Sequence, residues 1–186
     1  GHDKVLLHGR NGEGKSTLVK LMLGQLEATE GEIRRRPFRY VYFPQDALLT
    51  LILQFGQLSG VDCIRHGRGD DVTVAKARTY LGRFGFKGSL AVSTISQLSA
   101  GQRVRLWLAR EYFDSMQDKK LAPSLLVMDE MTENLDVQTV DALVTTLSKL
   151  NTALLAISHD PNFVRVFPAT EHWHLQGGRL YVLHND

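Results

Sequence analysis

Apolar positions along this chain form two kinds of run, and their alternation predicts a layered α/β fold with a mainly parallel sheet. Val5, Leu6 and Leu7 form a short buried-strand pattern that stops at Gly9. A helix is predicted over residues 15–23, with Leu18, Leu21 and Met22 on one face and Gly24 as its stop. Residues 31–35 and 39–43 read as two short strands around Pro37, the second ended by Pro44. Residues 47–95 differ: helical patterns there are broken by Gly56, Gly60, Gly67, Gly69, Gly85 and Gly88, and the clearest helix covers residues 72–84. Ser99 is a good N-cap for a helix running to about Phe113. Residues 124–128 read as a strand, apolar without a break after Ser124, as in a central parallel strand covered on both faces. An amphipathic helix over 137–150, a buried strand over 153–157 and a short helix opened by Pro161 follow. Residues 171–175 and 179–183, separated by Gly177-Gly178, predict a terminal hairpin. The expected organisation is one domain over 1–186: a core from 1–46 and 96–186, with a helical subdomain inserted at 47–95.

Bulk properties narrow the setting. The 186 residues are 43% hydrophobic, enough for one globular domain with a core. A formal charge of +2 gives no large basic field demanding nucleic acid or anionic lipid. Arg34-Arg35-Arg36, with Arg39 close by, reads as a solvated strand edge, with a phosphate contact as the alternative. Cys63 is a lone cysteine, with no partner for an internal disulfide, and fits a reducing compartment. No run approaches the ~18 apolar residues of a membrane span, and the N-terminal residues lack a signal peptide's apolar core. The expectation is a cytoplasmic chain without membrane insertion.

The candidate chemistry sits at the predicted strand ends. Gly9-Arg10-Asn11-Gly12-Glu13-Gly14-Lys15-Ser16 fits G-x-x-x-x-G-K-[ST] between a predicted strand and a predicted helix. Gly12 and Gly14 allow the backbone to approach phosphates closely, and successive N–H groups with a helix N-terminus favour an anion. Lys15 is placed to neutralise the β- and γ-phosphates of ATP, Ser16 to offer a hydroxyl to Mg²⁺, and Thr17 to reach the α-phosphate. Asp129 and Glu130 follow the predicted strand at 124–128, where open α/β sheets bind ligands. Asp129 is the candidate for orienting the water ligands of Mg²⁺, and Glu130 the candidate base. Gln45 and His159 also follow predicted strands: Gln45 is a candidate for Mg²⁺ and the attacking water, His159 for the γ-phosphate. His8 reads as a sheet-packing or rim residue, and His172 and His174 show no metal-ligand spacing.

Together with Leu98-Ser99-Ala100-Gly101-Gln102 and Asn134-Leu135-Asp136, these segments resemble the ATP-binding-cassette superfamily over essentially the whole chain. The first of these two resembles that family's signature loop, usually Leu-Ser-Gly-Gly-Gln. The resemblance implies a P-loop NTPase of RecA-like fold that closes as a sandwich with a second cassette. Ser99, Ala100, Gly101 and Gln102 would then face the partner cassette's ATP, and hydrolysis would reopen the pair. Within the superfamily the chain is most similar to the ABC-F proteins, which act on ribosomes. Residues 77–86, Thr132-Glu133-Asn134-Leu135-Asp136, and Ser158-His159-Asp160 with Phe163 carry that likeness. It implies a role on the ribosome, in translation or resistance to ribosome-targeting antibiotics. An ATPase subunit docked on a transporter membrane domain is the alternative, and a scaffold that retains the motifs without hydrolysis is a third reading. The sequence departs from the family at Ala100, at Met131 where proline is usual, and at Glu133-Asn134. Only eight residues precede Gly9, so the upstream strands that carry the family's adenine-stacking aromatic are expected to be missing and the chain to be a fragment.

Overall fold

A computed structural model describes residues 3–132 and 135–184. In chain order its elements are β1 (Lys4–His8), α1 (Lys15–Leu23), β2 (Tyr40–Phe43), α2 (Ala47–Phe55), α3 (Gly60–Arg65), α4 (Val74–Gly82), α5 (Ala100–Gln117), β3 (Leu125–Asp129), α6 (Val137–Ser148), β4 (Ala153–Ile157), α7 (Pro161–Val166), β5 (Glu171–Gln176) and β6 (Arg179–His184). They divide into two units, one of residues 1–44, 123–133 and 147–186, the other of 45–122 and 134–146.

The first unit is built on a six-stranded sheet in the order β2-β3-β4-β1-β5-β6. All neighbours are parallel except β5 and β6, which form the antiparallel hairpin. The three central strands are in level register: Leu7 of β1 and Asp129 of β3 both pair with Ile157 of β4. Their C-terminal ends therefore lie at one height on one edge of the sheet. Burial holds them there. Leu6 and Leu7 are fully buried, as are Leu126 and Val127, and truncating one such side chain to alanine typically costs roughly 2–5 kcal/mol. Alternation along the strands puts Val5, Leu7, Val127, Leu155, Ile157 and Leu175 on one face, where Val19 and Leu23 of α1 cover them. On the other strand face, His8 lies parallel to His172, with ring centroids 5.2 Å apart and Nε2 to Nδ1 at 3.0 Å. This agrees with its reading as a sheet-packing residue.

The ends of α1 follow from two glycines. Gly14 at its start and Gly24 at its stop are both left-handed, at φ 95° and 75°. The predicted strand at 31–35 is absent: residues 31–39 form no helix or strand and are exposed. Pro37 removes a backbone donor from that stretch. The only regular element there is β2, which pairs with β3. Arg34, in the basic cluster, pairs with Glu32 in solvent.

The second unit is helical, and it is larger than the expected insert. It includes α5 and residues 134–146 besides the 47–95 stretch. The buried side of α5 explains this. Phe113 packs edge-on against Tyr80 of α4 at 4.8 Å, and the Tyr80 hydroxyl donates to the Ala109 carbonyl at 2.9 Å. Arg110 stacks on Phe55 of α2, and Arg68 forks onto Asp114. Helix α4 starts later than predicted, at Val74, because the Thr73 side chain accepts from the Lys76 amide and caps it. Helix α5 starts where Ser99 predicts and runs on to Gln117. Among the described residues no helix is long and apolar enough to cross a membrane.

Two measurements check this packing. Cys63 is fully buried, and burial pushes its thiol up to about 11. The folded chain is therefore expected to react with Ellman's reagent at pH 8 at least ~100-fold more slowly than the chain in denaturant, because the thiolate is the nucleophile; equal rates would contradict this burial. The second concerns His8, whose pKa is lowered from 6.5, first by burial and then by the nearby charges of His172, His174 and His159. The unfolded chain thus takes up this proton before the folded one, so stability falls as pH drops through 6.5 toward the depressed value. The melting temperature of a His8→Asn variant is expected to fall less between pH 7.5 and 5.5 than that of the wild type, and an identical pH profile would contradict this.

Candidate functional site

The loop from Gly9 to Gly14 joins β1 to α1 in the first unit. Three of its glycines have positive φ: Gly9 at 152°, Gly12 at 83° and Gly14 at 95°. Gly9 has a second reason to lack a side chain. A Cβ there would lie 2.6 Å from the carbonyl oxygen of Leu175 in β5. The hairpin braces the loop again at Glu13, whose carboxylate accepts the Gly177 amide at 2.8 Å. That amide is presented by a tight turn in which Gly177 and Gly178 both have positive φ.

Helix α1 therefore begins without a side-chain cap, since Gly14 has none to offer. Its first-turn amides and the positive end of its dipole are left for an anion. Lys15, the first residue of α1, is only 8% exposed, and its ammonium donates to the carbonyls of Gly9 at 2.8 Å and Arg10 at 3.1 Å. Arg10, Asn11, Ser16 and Thr17 are exposed around the same loop and first turn.

The level strand ends bring the other polar groups to this edge. Asp129 closes β3, is 5% exposed, and accepts the Tyr42 hydroxyl at Oδ2 at 3.2 Å. Glu130 follows at φ 54°, the one non-glycine residue with positive φ among those described. Its amide donates to the Ile157 carbonyl at 2.9 Å. Its carboxylate meets His159 twice: Oε2 accepts the His159 amide at 3.2 Å, and Oε1 lies 3.4 Å from His159 Nε2. Left-handed backbone in a glutamate costs of order 1 kcal/mol or more and persists where surroundings enforce it. Here the main-chain bond to β4 and the turn behind it enforce it. That turn is tied by Thr132 and Ser158, both buried, whose hydroxyls are 2.9 Å apart.

The structure thus gathers residues 9–17, Asp129, Glu130 and His159 on one unit. Gln45, Ser99–Gln102 and Leu135–Asp136 belong to the other, and Asn134 lies outside the described residues together with Glu133. Within the second unit, Ser99 and Gln102 form a reciprocal capping box on α5: the Ser99 amide donates to Gln102 Oε1 at 2.8 Å, and the Gln102 amide to Ser99 Oγ at 3.3 Å. Ala100 is the first residue of that helix and has no positive φ, so its methyl meets no backbone constraint. Gly101 is different, because a Cβ there would collide with the Thr139 side chain of α6. Thr139 in turn bonds Asp136 through hydroxyl and amide, which hold that carboxyl below the usual range. Tyr42 lies outside every motif, and the Gly177 partner of Glu13 lies 164 residues away, so neither contact has a signal in local sequence.

The donor set fits Mg²⁺ beside a nucleotide. Ser16, exposed in the first turn of α1, and Asp129, at the end of β3, offer hard oxygens, and Mg²⁺ characteristically takes few protein ligands alongside phosphates and water. Among the described residues no group of three or more His, Cys, Asp or Glu side chains could hold a metal alone.

Comparison with known proteins identifies the family. A family model described as "ABC transporter" matches residues 2–133. ATP-binding cassette sub-family F member 3 of Homo sapiens is 33% identical over 180 residues, 94% of this chain and 23% of that protein. ATP-binding protein Uup of Escherichia coli is 36% identical over 186 residues, covering 95% and 26% respectively. Protein GCN20 of Saccharomyces cerevisiae is 33% identical over 158 residues, covering 84% and 20%. The chain spans about a fifth to a quarter of these relatives. Among solved structures, an ATP-binding cassette of an ABC transporter in its ADP conformation superposes with TM-score 0.73 at 18% identity, covering 98% of this chain and 80% of that one. By the family model over residues 2–133 and by relatives at 33–36% identity, the chain belongs to the ABC transporter family and is similar to its F sub-family.

Proposed function

We propose that this chain binds and hydrolyses ATP with Mg²⁺, closes against a second cassette, and serves an ABC-F-like factor that acts on the ribosome. The observation that carries the hydrolytic part is the Glu130 carboxylate, held in a left-handed turn against both the amide and the imidazole of His159. It lies on the same sheet edge as the uncapped start of α1.

Residues 9–17 take the triphosphate through main-chain amides, with Lys15 moving its ammonium from the loop carbonyls to the β- and γ-phosphates. Ser16 and Asp129 would hold the magnesium ion and its waters, and Gln45 is a further candidate ligand. When bound, the ion neutralises charge building on the transferring phosphoryl group. Glu130 accepts a proton from the attacking water, and a base fixed by two contacts needs little reorganisation. His159 orients Glu130 and donates to the γ-phosphate. Ser99, Ala100, Gly101 and Gln102 face the nucleotide held by the second cassette. The similarity to the F sub-family supports the ribosomal reading, since the relatives are similar over 84–95% of this chain.

The expected outcome for Lys15→Ala is a loss of affinity for a fluorescent ATP analogue of about tenfold or more, the worth of one charge-assisted contact. Glu130→Gln is expected to bind ATP within about threefold of wild type while turnover falls at least ~100-fold. Full turnover in Glu130→Gln would contradict the assignment of the base. With Mg²⁺ and ATP, the Glu130→Gln chain is expected to pellet with ribosomes; pelleting with a transporter's membrane domain instead would favour the transporter reading.

A further inference from the structure

We propose that Tyr42 is a positioning residue for Asp129, tuning how strongly the site takes up magnesium; the proposal rests on the nucleotide-binding reading above. Strands β2 and β3 are parallel, and Tyr42 pairs with Val127. Asp129 is two residues further along β3, hence on the same face and about 6.6 Å beyond the pairing level. A tyrosine leaning along its strand spans that step, and its hydroxyl reaches Asp129 Oδ2 at 3.2 Å. The ring is packed against the core cluster that α1 covers, so the hydroxyl is carried on a fixed support.

The consequence is conformational. The last torsion of an aspartate is broad, so an untethered carboxylate samples many orientations. A carboxylate only accepts, and a phenol can donate. The Tyr42 hydroxyl occupies one oxygen of Asp129 and fixes the plane of the group, leaving the second oxygen for the metal's shell. Asp129 is 5% exposed, so few alternative donors reach it from solvent. Partners of this kind typically change metal affinity 10- to 100-fold when removed.

The test is Tyr42→Phe, which deletes one oxygen and retains the ring, with Tyr42→Met as a second variant should Phe melt early. Affinity for a fluorescent ATP analogue is measured on the whole chain in EDTA and across a magnesium chloride titration. Tyr42→Phe is expected to match wild type within about twofold in EDTA and to need about tenfold more magnesium for half its effect. In an Asp129→Asn background the same substitution is expected to add no further shift. An unchanged magnesium requirement in Tyr42→Phe, or a full additional shift in the Asp129→Asn background, overturns the role of Tyr42 alone. Wild-type binding that ignores magnesium overturns the metal role of Asp129 and this proposal with it. Wild type that fails to bind the analogue in any condition overturns the nucleotide reading itself.

Discussion

The level register of β1, β4 and β3 is the constraint on which the site depends. Pairing Leu7 and Asp129 with the same residue, Ile157, starts three loops at one height. Strand register moves in steps of one residue, and one step turns every side chain to the opposite face. Such a slip would aim Asp129 away from α1 and shift Glu130 from the Ile157 carbonyl. The fully buried leucines of β1 make that slip expensive. The apolar core thus does more than stabilise the unit; it sets the geometry of the polar groups at its edge.

The two helix starts show how one element serves opposite ends. At α1 a left-handed glycine opens the helix and leaves its first amides uncapped. At α5 a serine and a glutamine close the cap on themselves. The first arrangement keeps positive potential available to an anion, and the bracing of Gly9 and Glu13 by the β5–β6 hairpin keeps the loop in shape. The second gives a pre-ordered edge of serine, alanine and glycine. Glu130 follows a related logic: strain in its backbone is offset by the bonds to Ile157 and His159 that aim its carboxylate.

Much of this was legible in local chemistry. Helix α1 has the predicted bounds because glycines stop helices through backbone conformation alone, and Ser99 starts α5 because its cap is made within four residues. The strand 153–157 was legible because a continuous apolar run bounded by polar residues has few other uses. What escaped was set by distant partners. The stretch at 31–35 alternates like a strand but makes no ladder. Tyr42 and Asp129 are 87 residues apart, and His8 and His172 are 164 apart. Neither pair has a local signature, and the left-handed backbone of Glu130 follows from the turn that β4 imposes, not from its own side chain. The size of the helical unit was hidden for the same reason, because α5 joins it through Tyr80, Phe55 and Arg68 from three separate segments.

Nucleotide chemistry at this site requires that the amides between Gly12 and Thr17 receive a triphosphate. Two-dimensional amide NMR of the isotopically labelled chain, titrated with Mg²⁺ and a non-hydrolysable ATP analogue, tests it most directly. The largest shifts are expected on Gly12 to Thr17, with smaller ones at Glu130 and His159. Saturable binding that leaves those resonances unmoved while shifts concentrate elsewhere would contradict it.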